Sequence, residues 1–224
     1  MWCIPPEQNA DFVAKMEDVL DVYALPYDEG CPVICLDEKP YQLLDECREP
    51  IAMEAGEPMR IDNEYVRNGT CSIFVMCEPL TGWHHANARK QRTAVDFAHE
   101  VDWLLNESRY KGVPKLKLVI DNLNTHVISS LYKAFPAPKA RELKRRLEIH
   151  YTPRHGSWLN IAEISISILS KQCIDRRIPD LDMLNLEICA WEEAYNAKRN
   201  AVNWHFTTDD ARIKLKHLYP IVIF

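Results

Sequence analysis

The chain has 224 residues, 47% hydrophobic and 27% charged, with a formal net charge of -6, enough to bury a core as one domain with extensions. No apolar run reaches the roughly 18–20 residues of a membrane span, and the N-terminus lacks a basic stretch followed by an apolar one, so a cytoplasmic protein with no membrane partner is expected. The acidity is local: residues 1–64 hold 16 acids and 4 bases, residues 65–224 hold 17 acids and 23 bases, a mildly basic body compatible with DNA contact.

Apolar positions at Phe12, Val13, Met16, Val19, Leu20 and Tyr23 predict a helix over 9–24, capped by Asn9 or Asp11, before the breakers Pro26 and Gly30. Val33 to Leu36 is a short continuous apolar run, a strand buried on both faces, stopping on Asp37 and Glu38. Residues 42–64, acidic and broken by Pro50, Gly56 and Pro58, predict an irregular excursion. Tyr65 to Pro79 and Trp83 to Ala88 predict a hairpin turning at Leu80-Thr81-Gly82, and Arg92 to Glu107 a helix.

Leu116 to Ile120 is a buried strand ending on Asp121. Ligands of α/β proteins sit outside the carboxyl ends of strands, which makes that acid a site candidate. Short helices are expected over 125–135 and 138–147. The second carries Lys139, Lys144, Arg145 and Arg146 in the densest basic cluster of the chain, a solvated face or a contact for the phosphate backbone. Leu147 to Thr152 predicts another strand. In His155 to Gln172 the alternation Ile164, Ile166, Ile168 argues for a strand, while the length, a Ser157 cap and a polar stripe of Asn160, Glu163, Ser167 and Ser170 argue for a helix. Two further helices are expected, over 181–199 and before Pro220.

Eight cysteines without a CxxC pair read as reduced residues. A zinc site from Cys31, Cys35 and the pair His84 and His85 fits no standard ligand spacing. Three acids remote in sequence, Asp37, Asp121 and Glu163, can instead converge. Clustered carboxylates repel unless a cation neutralises them, and oxygen-only ligands select Mg²⁺ or Mn²⁺.

The segments CLDEKPYQLL, YVRNGT, QRTAVDF, IDNLNTH, YTPRHGSWLNIAE, LSKQCIDRRIP and FTTDDARIKLKHLYP together resemble the catalytic domain of IS630-type transposases of the Tc1/mariner superfamily, from about Trp2 to Tyr219. The resemblance implies an α/β fold, a ribonuclease H-like mixed sheet flanked by helices, and an Asp-Asp-Glu triad on Asp37, Asp121 and Glu163. Glu163 would then sit on a helix. It further implies DNA cleavage at transposon ends and strand transfer, two Mg²⁺ or Mn²⁺ ions with Asp37 as the shared ligand, a homodimer on DNA, and a nucleoid-associated location.

Around the triad, Asn122, Asn124 and His126 are expected as supporting groups or phosphate contacts, with helix capping an equal reading for Asn124 or Thr125. Arg154, His155 and Lys171 are candidate phosphate contacts, with a simple tight turn an equal reading for Arg154 and His155, and Trp158 is a base-stacking platform or a core residue. Glu38 reads as a structural or reserve charge. The expected division is a linker helix over 1–30, a catalytic domain over 31–200 and a helical extension over 201–224. No helix-turn-helix precedes the linker helix, so a separately encoded DNA-reading partner is expected; the alternative is a silent truncated transposase that dimerises with and regulates the full-length enzyme.

Overall fold

A computed structural model describes residues 7–221; Cys3 and the outer ends of the expected terminal divisions lie outside them. Helix α1 spans Ala10–Ala24, with the Asn9 side chain accepting from the Phe12 amide. Strand β1 follows over Val33–Glu46, then β2 over Tyr65–Glu78 and β3 over Trp83–Arg89. The turn between β2 and β3 requires Gly82: its φ is +72°, and a Cβ there would lie 2.6 Å from the Asn200 backbone. Helix α2 (Ala94–Asn106) starts with a capping box between Thr93 and Asp96. Strand β4 (Leu116–Ile120), the short helices α3 (Ser129–Ala134) and α4 (Ala137–Arg145), and β5 (Leu147–Tyr151) come next. A 3₁₀ turn (Ser157–Leu159) leads into α5 (Ala162–Gln172), and α6 (Leu181–Asn196), α7 (Thr208–Lys214) and a second 3₁₀ turn (Lys216–Leu218) follow.

The sheet order is β3-β2-β1-β4-β5. β2 runs antiparallel to both β1 and β3, while β4 runs parallel to both β1 and β5. This is the mixed sheet flanked by helices that the family resemblance implies. Alternation along β1 divides the two faces. Ile34 and Leu36 join Phe97, Val101 and Leu104 of α2 and Leu143 of α4 in one cluster. Cys35 joins Phe12, Met16 and Leu20 of α1, Ala162 of α5 and Ala211 of α7 in another. The β2–β3 end of that second face is covered by Leu169 of α5 and by Leu184, Ile188 and Trp191 of α6.

β3 would leave an open edge. Helix α6 covers it with side chains: Asn185 exchanges hydrogen bonds with the Ala88 amide and carbonyl, Asn196 does the same with His84, and Glu192 accepts from the Ala86 amide. Polar residues on a helix thus replace the missing neighbouring strand.

Two expectations need correction. β1 does not stop at Leu36. It continues to Glu46 because its residues from Cys35 onward pair with β2 as far as Glu46 with Tyr65, through an irregularity between Gln42 and Leu44. Asp37 is therefore inside a strand, and the irregular excursion shrinks to 47–64. The second correction concerns the start of α5. Ser157 lies in the 3₁₀ turn, and Asn160 precedes the helix as a buried residue instead of joining a polar stripe. The helical reading of the alternating isoleucines holds. Seven cysteines within the described residues are free thiols.

Candidate functional site

The pairing of β1 with β4 covers only Val33–Cys35 against Lys117–Val119. Continuing that register, Asp37 and Asp121 each lie two residues beyond the Cys35 and Val119 pair. β4 ends at Ile120 while β1 runs on, so the sheet opens beside Asp37. β1 is also where the connection changes from antiparallel to parallel neighbours, the kind of crevice in which α/β proteins hold ligands.

Glu163, the second residue of α5, reaches this crevice because the helix start is pinned. The Asn160 side chain donates to the Leu36 carbonyl at 2.8 Å and accepts from the Ala162 amide at 3.1 Å. From the other side, the Tyr23 hydroxyl on α1 donates to the Leu159 carbonyl at 2.9 Å and accepts from the Ile161 amide. One turn earlier, Gly156 passes so close to Pro153 that a Cβ would lie 2.5 Å from its ring. The turn is therefore closed to other residues.

Asp37 senses the acids around it. Burial raises Asp37 to about 7, and the charges of Asp121, Glu38 and Glu163 add to the rise; only the Glu38 amide, donating to Asp37 Oδ1 at 2.8 Å, works against it. Asp121 Oδ1 accepts from the Leu123 amide and faces His126 Nδ1 at 2.5 Å. The other ring nitrogen of His126 faces Glu38 Oε1 at 2.7 Å. Burial alone would push the imidazole down, but hydrogen bonds to Asp121 and Glu38 outweigh it and lift His126 to about 9. His126 is fully buried, packed against Phe97 and carrying the Tyr151 hydroxyl on its carbonyl.

Among the described residues no three His, Cys, Asp or Glu side chains stand ready-made around one ion position, which also removes the Cys31, Cys35, His84 and His85 grouping. The donor set at the crevice nevertheless suits a hard divalent cation. All its donors are carboxylate oxygens, and Asp37 is held above its ordinary range by burial and, in smaller part, by like charges that such an ion would neutralise.

The other expected residues divide clearly. Asn122 and Asn124 are exposed beside Asp121. Neither Asn124 nor Thr125 caps a helix, since α3 begins at Ser129 without a side-chain cap. Arg154, His155 and Lys171 are exposed and make no hydrogen bond to the three carboxylates among the described residues. Trp158 is a packing residue, half-buried against the α1 cluster and edge-on to Phe206. In the basic cluster, Lys144, Arg145 and the neighbouring Arg141 are exposed, and Lys139 pairs with Asp102 at 2.6 Å. Arg146 is spent on the fold: its guanidinium donates to the carbonyls of Val113, Leu105, Tyr110 and Lys111. The expectation of a phosphate contact there is corrected. The sequence offers Asn160 only as part of a polar stripe and Tyr23 only as an apolar helix position, so their roles in pinning α5 were missed. The spacing of Asn160 to Glu163, three residues, was the one available signal.

A five-stranded mixed sheet flanked by helices, opening beside its central strand, defines the class of ribonuclease H-like α/β proteins. The chain matches the DDE superfamily endonuclease family over residues 32–185, and it belongs to that family. Solved structures of the Mos1 mariner transposase share the fold. The catalytic domain of Mos1 aligns with a TM-score of 0.55 at 10% identity, covering 88% of this chain and 90% of that one. The Mos1 paired end complex with Mn aligns at 0.53 and 12% identity, covering 88% and 60%; the pre-cleavage Mos1 transpososome aligns at 0.55 and 12%, covering 98% and 66%. The chain thus spans about 60% of the Mos1 chain in the paired end complex. No curated protein matches it by sequence.

Proposed function

We propose that this chain cleaves DNA at transposon ends and joins them to target DNA, with Asp37, Asp121 and Glu163 as its catalytic carboxylates. The observation that carries the reading is the position of Asp37 and Asp121, each two residues beyond the Cys35 and Val119 pair where the sheet opens, with the helix start bearing Glu163 tied to β1 through Asn160, in a member of the DDE endonuclease family. The three carboxylates would hold Mg²⁺ or Mn²⁺, two ions with Asp37 as the shared ligand; when bound, such ions supply an activated nucleophile and a stabilised leaving oxygen. That Mos1 has been solved with Mn and with Mg supports the choice of ion.

The chain's own residues do the rest. Asn160 and Tyr23 hold the start of α5, and hence Glu163, against β1. The exposed Arg141, Lys144, Arg145 and Arg154 offer positive charge for the phosphate backbone. The paired end and strand transfer complexes of Mos1 support DNA as the substrate; the chain would act as a homodimer, with a helix-turn-helix polypeptide supplying recognition of the ends.

Nicking of supercoiled DNA by the purified chain with Mg²⁺ or Mn²⁺ tests the proposal. Cleavage should require the metal and fall about a hundred- to a thousandfold in Asp121→Asn, as expected for loss of a group that stabilises the reacting atoms directly. Metal-independent cutting, or undiminished cutting by the variant, sinks it.

A further inference from the structure

We infer that Glu38 and His126 are positioning residues for Asp121, a buried carboxylate–imidazole–carboxylate chain that sets the orientation in which Asp121 meets its cation. The inference rests on the proposed metal-dependent reading and extends it to two residues that touch neither substrate nor ion.

Glu38 follows Asp37 in the sequence, and proximity alone would make it a fourth ligand. Strand geometry says otherwise. Successive residues of β1 point to opposite faces, so Asp37 lies on the α5 face and Glu38 on the α2 face. There its side chain is only 1% exposed, and Oε1 meets His126 Nε2 at 2.7 Å, with the imidazole packed against Phe97 of α2. The imidazole then spans from the α2 face to the end of β4, where Nδ1 meets Asp121 Oδ1. The Glu38 carboxylate is thus linked by hydrogen bonding to Asp121 through His126.

The arrangement is costly as a purely structural one. Glu38 Oε2 is buried with no hydrogen-bond partner, and an apolar side chain at this place on the α2 face would avoid that penalty. What the cost secures is a single orientation for Asp121. With the Leu123 amide and His126 both on Oδ1, Oδ2 remains for a ligand. Groups that orient ligating side chains from behind in this way typically change metal affinity by about 10–100-fold when removed.

Mn²⁺ alone, titrated calorimetrically into the full chain, provides the first test. Glu38→Ala and His126→Ala should each weaken Mn²⁺ binding about tenfold or more. Glu38→Gln, whose amide oxygen can still accept from His126, should restore affinity to within about threefold, since it keeps the orienting bond. A Glu38→Ala chain with an unchanged circular dichroism spectrum and full Mn²⁺ affinity overturns the inference. Should the alanine variants not fold, the imidazole resonances of ¹⁵N-histidine-labelled protein decide. The His126 Nδ1 signal should move in Glu38→Gln and on addition of Mg²⁺; a signal indifferent to both overturns it. If the unaltered chain binds neither ion, the proposed function fails instead. The coupling then remains readable without metal, because substituting Asp121→Asn should shift both ring nitrogens of His126, and a shift of neither overturns it.

Discussion

The side chain of Asn160 donates to the backbone carbonyl of Leu36 at 2.8 Å while its oxygen accepts from the Ala162 amide, so one buried amide ties the strand bearing Asp37 to the helix bearing Glu163. Replacing it with alanine leaves the Leu36 carbonyl without this donor, a loss of about 1–3 kcal/mol. Asn160→Ala should therefore melt earlier in calorimetry and also lose metal-dependent nicking beyond what its residual folded fraction explains. A variant that melts early yet nicks normally would show that the tie serves stability alone.

Asp37 titrates near 7 in the fold against an ordinary 3.8. Between about 4 and 7 the folded chain holds a proton that the unfolded chain has released, so the stability of the metal-free protein falls as pH rises through this window. Asp37→Asn should flatten that fall and melt higher than the unaltered chain above about pH 7. Saturating Mn²⁺ should raise the melting temperature of the unaltered chain, by about 2.7 kcal/mol of stabilisation at a hundredfold excess over the dissociation constant, and raise that of the variant far less. Parallel melting curves across the pH range would contradict the assignment.

Two adjacent arginines should behave oppositely. Arg146 bonds four backbone carbonyls, and Arg146→Ala should cost about 3 kcal/mol or more, read by urea denaturation. Arg145 is exposed. Arg145→Ala should leave stability within about 0.5 kcal/mol and lower the salt dependence of DNA binding by about one unit of slope. Equal stability of the two variants would refute the division.

At the sheet edge, Asn185→Ala together with Asn196→Ala frees the amides and carbonyls of Ala88 and His84. The double variant should aggregate on mild heating, measured by light scattering, while the unaltered chain stays dispersed.

Much of the secondary structure is legible because its cause is local. The 3.6-residue spacing of Phe12, Met16 and Val19 marks α1, and the apolar run into Asp121 marks β4. The length of β1 is not legible. Beyond Leu36 its residues are mixed in character, and they are extended because β2 lies alongside them. Arg146 looks like the charged residues around it, and only the loop carbonyls that converge on it distinguish its role. The candidate triad emerged from family resemblance and strand ends, whereas Asn160, Tyr23 and the link from Glu38 to His126 depend on contacts between residues far apart in the chain.

By itself the sequence determined the order and type of most elements and membership in the DDE superfamily endonuclease family, and it named three acids as the candidate site. The tertiary structure decided which neighbours support them. Periodicity records which face of an element is buried, but a hydrogen bond between distant segments leaves no periodic trace. Glu38 shows the difference: one residue from Asp37 in sequence, it is turned by the pleat of β1 to the opposite face and finds its partner 88 residues away in His126.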